Sequence, residues 1–138
     1  VAGALAELGC EHALVVSSED GLDEMSAAAK TAVAEVHGGQ VRRYDFDPGE
    51  AGFGASEPLE PGGSPEENAA VTRAILDGAP GPQADTAILN AAAAIYVAGH
   101  ADSLPAGVAA AREAIAGGAA RAALDRYVAA TQAAGARS

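Results

Sequence analysis

The chain has 138 residues, a mass of 13.4 kDa and a formal charge of −11 at pH 7. That length supports one domain with one core, burying roughly two-thirds of the unfolded chain's surface. The acidic balance, with no run of Lys and Arg, argues against a nucleic-acid partner, because such affinity rests on neutralised phosphates. A small anionic substrate stays open, provided that metal ions or a few local bases offset the field.

Apolar residues make up 49% of the chain, yet there are two Phe, three Tyr and no Trp. Ala and Val dominate instead, so the core must form by close backbone approach over small side chains. Cys10 is the single cysteine, which leaves no internal disulfide framework; it reads as a buried or half-buried bystander thiol. The stretch from Val1 to Leu8 lacks the basic flank and long apolar run of a signal peptide. Elsewhere Gly, His, Asp or Arg interrupts each Ala-rich stretch before it reaches bilayer length. The expectation is a soluble, cytoplasmic protein.

Residues 1–9 read as the end of a helix, with Leu5 and Leu8 three apart and Gly9 as a stop. His12 to Ser18 is a short apolar strand whose pattern does not alternate strictly, compatible with a buried parallel strand. It runs into Glu19-Asp20-Gly21-Leu22-Asp23-Glu24, at the edge of an open sheet. Thr31 to His37 and Gln40 to Phe46 are β-prone and separated by Gly38-Gly39, the signature of a tight hairpin. Residues 47 to 65, rich in Gly and Pro, read as a long surface connection.

Ser64-Pro65-Glu66-Glu67 combines an N-cap, a Pro at the first helical position and a capping-box Glu. That helix is expected from Pro65 to about Leu76. Further helices fit Asp85 to Ala98, Pro105 to Ala116 with Ser103 as cap, and Ala119 to Ala130. A flexible tail follows at approximately 132–138. A strand, a hairpin and a train of Ala-rich helices make the fold class α/β.

Asp20, Asp23 and Glu24 are the one concentrated acidic group beside a strand end. Carboxylate oxygens suit Mg²⁺, which keeps several waters while bridging protein to phosphate. The Asp23-Glu24 pair is therefore a candidate metal site; a solvated loop or the acidic first turn of a helix fits the same residues. His12, His37 and His100 have no metal-ligand spacing and read as surface or hydrogen-bonded residues. Asn68 and Asn90 fall inside helices, where Asn is mildly unfavourable, so their amides are expected to bridge helices or reach backbone near a site. Arg42-Arg43 lies on the hairpin with at least one side chain exposed. No Walker-type or dinucleotide fingerprint is present.

The order of motifs resembles the carboxy-terminal part of the anthranilate phosphoribosyltransferase family. Ala13-Leu14-Val15-Val16 is followed by Asp20-Gly21-Leu22-Asp23-Glu24, then by Gly62-Gly63-Ser64 with Glu67-Asn68-Ala69. Asn90-Ala91-Ala92-Ala93 with Tyr96-Val97-Ala98-Gly99, and the run Gly107 to Ile115, complete the series. The resemblance implies a partial catalytic domain, residues 1–138 of a three-layer α/β/α architecture. It implies transfer of phosphoribosyl from 5-phosphoribosyl 1-diphosphate to anthranilate in tryptophan biosynthesis, with release of diphosphate. Asp23 and Glu24 would bind Mg²⁺ and act in catalysis by stabilising the leaving group. The partners implied are an upstream helical domain and remaining catalytic segments, with a homodimer when complete. The Gly-rich diphosphate loop, the Lys-His-Gly segment and the Arg associated with anthranilate belong upstream of Val1, so the chain alone is expected to be inactive. Ser17-Ser18 departs from the His-Gly usual in the family. A pyrimidine-nucleoside phosphorylase-like part and a non-catalytic interaction fragment are the alternatives.

Overall fold

Gly38 and Gly39 both take positive φ, 57° and 77°, as a two-residue hairpin turn requires. The computed structural model describes residues 1–54, 56–60 and 62–135. In it this turn joins β2 (Thr31–His37) to β3 (Gln40–Phe46), with His37 opposite Gln40 and Thr31 opposite Phe46. β1 (His12–Ser18) lies on the other side of β2, giving the order β1-β2-β3. The parallel expectation for β1 is corrected: it runs antiparallel to β2, with Ser18 opposite Thr31. It is also half-buried over most of its length. A parallel pair needs a long, usually helical crossover, whereas residues 19–30 form no helix and return directly. The Glu19 amide closes that return by donating to the Lys30 carbonyl at 2.9 Å.

The register sorts the sheet into two faces. Leu14, Glu35 and Arg42 form one cross-strand row, Val16, Val33 and Tyr44 the next, and Ser18, Thr31 and Phe46 the last. This face packs on α3 (Pro82–Val97) and α4 (Leu104–Ala116), in a core of Met25, Val33, Phe46, Phe53, Leu89, Ala92, Leu104 and Val108. On the opposite face α1 (Ala2–Glu7) packs against β2, where Val36 and Ala2 are buried. Helices on both sides of one sheet give the three-layer α/β/α arrangement. Small residues carry much of the packing, as the composition implies: Ala27, Ala51, Ala84, Ala92 and Ala111 are all buried.

Among the described residues Glu35 is the one charged side chain that is buried. It is 3% exposed and accepts hydrogen bonds from Tyr96 Oη at 2.7 Å, Arg42 at 2.9 Å and His12 Nε2 at 3.0 Å. Burial pushes its carboxyl up, but the hydrogen bonds from Arg42, Tyr96 and His12 outweigh that and bring its pKa down to about 2. The folded value lies below the ordinary one of 4.5. The group's contribution to stability is therefore present above the unfolded pKa and is lost as pH falls toward the folded one. A shift of that size is worth on the order of 3 kcal/mol. Between about pH 4.5 and 2, the wild-type Tm is expected to fall more steeply than that of Glu35→Gln. Parallel Tm–pH curves over that window would assign the acid sensitivity to other carboxylates.

The helix starts follow their local chemistry. Ser64 Oγ accepts from the Glu67 amide at 3.3 Å while Glu67 Oε2 accepts from the Ser64 amide at 2.7 Å. This capping box opens α2 (Pro65–Leu76) at the expected bounds. Ser103 Oγ likewise accepts from the Ala106 amide at 3.3 Å, and α4 begins one residue before the expected Pro105. α3 begins at Pro82 rather than Asp85, since Gly81 precedes a Pro at the first helical position. α5 (Ala119–Gly135) runs past the expected Ala130, because Thr131 to Ala134 offers nothing that stops a helix. Of the expected tail, 136–138 lie outside the described residues.

The connection after β3 is less superficial than its Gly and Pro content suggests. Asp47 and Glu50 form a second capping box around a 3₁₀ turn, Pro48–Ala51. Ala51 and Phe53 are buried in the core. By contrast, α2 and α5 bury none of their described residues. Val71, Tyr127 and Val128 are exposed on them. No helix among the described residues is long and apolar enough to cross a membrane.

Candidate functional site

The acidic segment lies in the loop between β1 and β2, and the structure separates Asp20, Asp23 and Glu24 into two roles. Asp20 is internally bonded. Ser18 Oγ donates to its Oδ1 at 2.5 Å and Ser26 Oγ donates to its Oδ2 at 2.6 Å. Those bonds, from Ser18 first and Ser26 second, hold its carboxyl below the usual range. Asp20 is therefore a structural brace, and the acidic group of the sequence reduces to a pair.

Asp23 is exposed and Glu24 half-buried. Neither has a hydrogen-bond or ion-pair partner among the described residues. The next residues are fixed firmly: Met25 is 0% and Ser26 1% exposed. Asn90 on α3 grips the Met25 backbone from both sides, accepting from its amide at 3.0 Å and donating to its carbonyl at 2.8 Å. A third bond, from Asn90 Nδ2 to the Thr86 carbonyl at 2.9 Å, orients the amide. Ser26 N–H donates to Thr31 Oγ1 at 3.2 Å, tying the loop to the first residue of β2. The pair is thus two adjacent carboxylates, one exposed and one half-buried, carried on a pinned backbone.

That donor set fits Mg²⁺ of one kind only. All-oxygen ligands suit a hard cation, and Mg²⁺ commonly uses one or two carboxylates plus waters and substrate phosphates. No group of three or more His, Cys, Asp or Glu among the described residues could hold a metal ion. The Asp23-Glu24 pair could therefore supply only part of such a shell, with the rest left to water and a phosphate-bearing ligand, and it is not a closed metal cage.

The other sequence candidates fall elsewhere. His12 packs between His37 and Tyr96, with ring centroids 4.5 and 4.8 Å away, and serves Glu35. His37 and His100 are exposed. Arg42 pairs with Glu35 and lies over the Tyr44 ring at 4.7 Å. Arg43 is exposed without an ion pair among the described residues. Asn68 reaches the Gly63 backbone, accepting from its amide at 3.1 Å and donating to its carbonyl at 3.2 Å. Cys10 is half-buried and free, its thiol directed at the His12 carbonyl at 3.5 Å. Sequence reasoning missed the bracing roles of Ser18, Ser26 and Thr31; a Ser on either side of an Asp was the only signal.

Residues 1–121 match the family described as "Glycosyl transferase family, a/b domain". The chain belongs to that family. Among curated members, it is 47% identical over 130 residues to the anthranilate phosphoribosyltransferase of Maricaulis maris (strain MCS10), covering 94% of this chain and 38% of that protein. The corresponding protein of Methylobacterium nodulans is 48% identical over 130 residues, with 94% and 39% covered. Among solved structures, anthranilate phosphoribosyltransferase from Thermus thermophilus superposes with a TM-score of 0.81 at 45% identity, covering 93% of this chain and 38% of that one. A Saccharomyces cerevisiae anthranilate phosphoribosyltransferase in complex with PRPP and Mg shares the fold, with a TM-score of 0.74 at 23% identity, over 88% and 36% of the two chains. This a/b domain chain thus spans a little over a third of the relatives' length and matches their carboxy-terminal portion. Its three-layer arrangement agrees with the resemblance read from the motifs.

Proposed function

We propose that this chain is the carboxy-terminal catalytic part of an anthranilate phosphoribosyltransferase. The observation that carries the reading is the Asp23-Glu24 pair, without a partner among the described residues and held on a pinned loop, in a chain 47% identical to such an enzyme. In the reaction, the anthranilate amine nitrogen bonds to ribose C1, the bond from C1 to the diphosphate oxygen breaks, diphosphate leaves with the electron pair, and the amine loses a proton. Asp23 and Glu24 would hold Mg²⁺, which supplies positive charge to the diphosphate as it departs. Met25, Ser26 and Asn90 keep the two carboxylates in place, so that little reorganisation accompanies the step.

The charge of −11 makes this chain a poor polyanion site alone. Anion-binding donors are assigned to an upstream portion, together with the anthranilate contacts and the dimer interface of a cytoplasmic enzyme. The exposed faces of α2 and α5, and the edge of β1 that pairs with no strand among the described residues, support such a division of labour.

Mg²⁺-dependent consumption of anthranilate with 5-phosphoribosyl 1-diphosphate tests the reading, using the chain with and without its native upstream portion. Activity is expected only in the complemented protein. A folded complement that transfers nothing to anthranilate but phosphorolyses a pyrimidine nucleoside would replace the acceptor. One that does neither would leave an interaction fragment.

A further inference from the structure

Ser18, the last residue of β1, is 6% exposed. Its hydroxyl proton goes to Asp20 Oδ1 at 2.5 Å, and its oxygen accepts the Leu22 amide at 3.1 Å. The Ser18 amide donates to the Leu22 carbonyl at 3.1 Å, so one residue closes the first limb of the loop from both directions. On the far limb Ser26 Oγ donates to Asp20 Oδ2 at 2.6 Å and accepts from the Ala28 and Ala29 amides at 3.0 and 3.1 Å. The Asp20 carboxylate is thereby a strut between the strand end and the buried Ser26. Asp23 and Glu24 lie between its two attachment points.

We propose that Ser18 is a positioning residue: its hydroxyl braces the Asp20 strut and so fixes Asp23 and Glu24 for a divalent cation. This rests on the metal role assigned to the pair above. Gly at position 18 has no hydroxyl, so it would leave Asp20 Oδ1 and the Leu22 amide without these partners. Groups that orient metal-binding carboxylates commonly change metal affinity by 10–100-fold when removed.

The test is Mn²⁺ titration of the ¹⁵N-labelled full chain, read as paramagnetic broadening of the amides of residues 21–25. Wild type is expected to show local, saturable broadening, and the double variant Asp23→Asn/Glu24→Gln to lose it. Ser18→Ala and Ser18→Gly should each raise the Mn²⁺ midpoint by roughly 10-fold, with the amide shifts of β1, β2 and β3 retained. Ser18→Thr, which keeps the hydroxyl, should restore the midpoint to within about threefold of wild type. Wild-type midpoints in both hydroxyl-less variants, alongside loss of binding in the double variant, would overturn the positioning role and leave the metal pair standing. Broadening that persists in the double variant, or is absent from wild type, would overturn the metal reading and this inference with it.

Discussion

Neutralising either carboxylate of the loop tip, by Asp23→Asn or Glu24→Gln, should lower kcat/KM of the complemented enzyme by at least about 100-fold under limiting Mg²⁺. The same changes should leave Tm within about 2 °C of wild type. The asymmetry follows from the surroundings of the pair. Neither side chain has a partner among the described residues, so the folded chain loses no bond when the charge goes. In a chain of net charge −11 the loss of one negative charge also relieves repulsion. In the proposed reaction, by contrast, negative charge separates onto diphosphate, and each variant would remove one of the two carboxylates assigned to the compensating cation. Raising Mg²⁺ should recover part of the rate for a single variant and little for the double one. Unaltered kcat/KM at limiting Mg²⁺ in both single variants would remove the pair from catalysis.

The second large effect concerns stability. Gly107→Val is expected to cost about 3 kcal/mol, the upper end of what overpacking a core does, and to lower Tm by roughly 10 °C. Gly107 sits on α4 where it meets α3, and a Cβ there would lie 2.6 Å from the Ala92 carbonyl oxygen and 3.1 Å from Ala92 C and Cα. These are backbone atoms inside a helix and cannot rotate aside, so the two helices must part. Parting them loosens Leu89, Ala92, Leu104 and Val108, all in the main core. Ala at 107 should cost less, since it gains about 1 kcal/mol of helix propensity over Gly. Gly3 in α1 is the control: a Cβ there meets nothing within 4 Å, so Gly3→Ala should be neutral or stabilising. Equal Tm shifts for Gly107→Val and Gly3→Ala would show that helix propensity, and not close approach, governs position 107.

The candidate site was legible to different depths. Asp23 and Glu24 stand out as adjacent acids after a strand, and the run through Glu24 carries the family resemblance. Asp20 belonged to the same cluster by spacing alone. Only the placement of Ser18 and Ser26 on its two oxygens shows that it holds the loop instead of facing a ligand. In sequence Asn90 reads as an unfavourable helix residue in need of partners, and those partners are the amide and carbonyl of Met25, 65 residues away. Nothing in the local sequence of either residue specifies the other.

The same division runs through the fold. The Gly38-Gly39 turn, the Ser64 capping box, the Ser103 cap and the α2 bounds were all readable in the sequence, because each closes its hydrogen bonds within a few residues. Composition likewise implied a core of small side chains, which Ala92 against Gly107 bears out. The antiparallel direction of β1 was decided by how residues 19–30 return to Thr31, and the burial of Met25 and Phe53 by the helices that cover their loops. Glu35 reads as one charged residue in a β-prone run; its descent into the sheet face beside His12 and Tyr96 depends on register with β1 and on the docking of α3. Local backbone chemistry leaves its signature in neighbouring residues, whereas pairing direction, burial and the bracing of the carboxylate loop arise only when segments tens of residues apart meet.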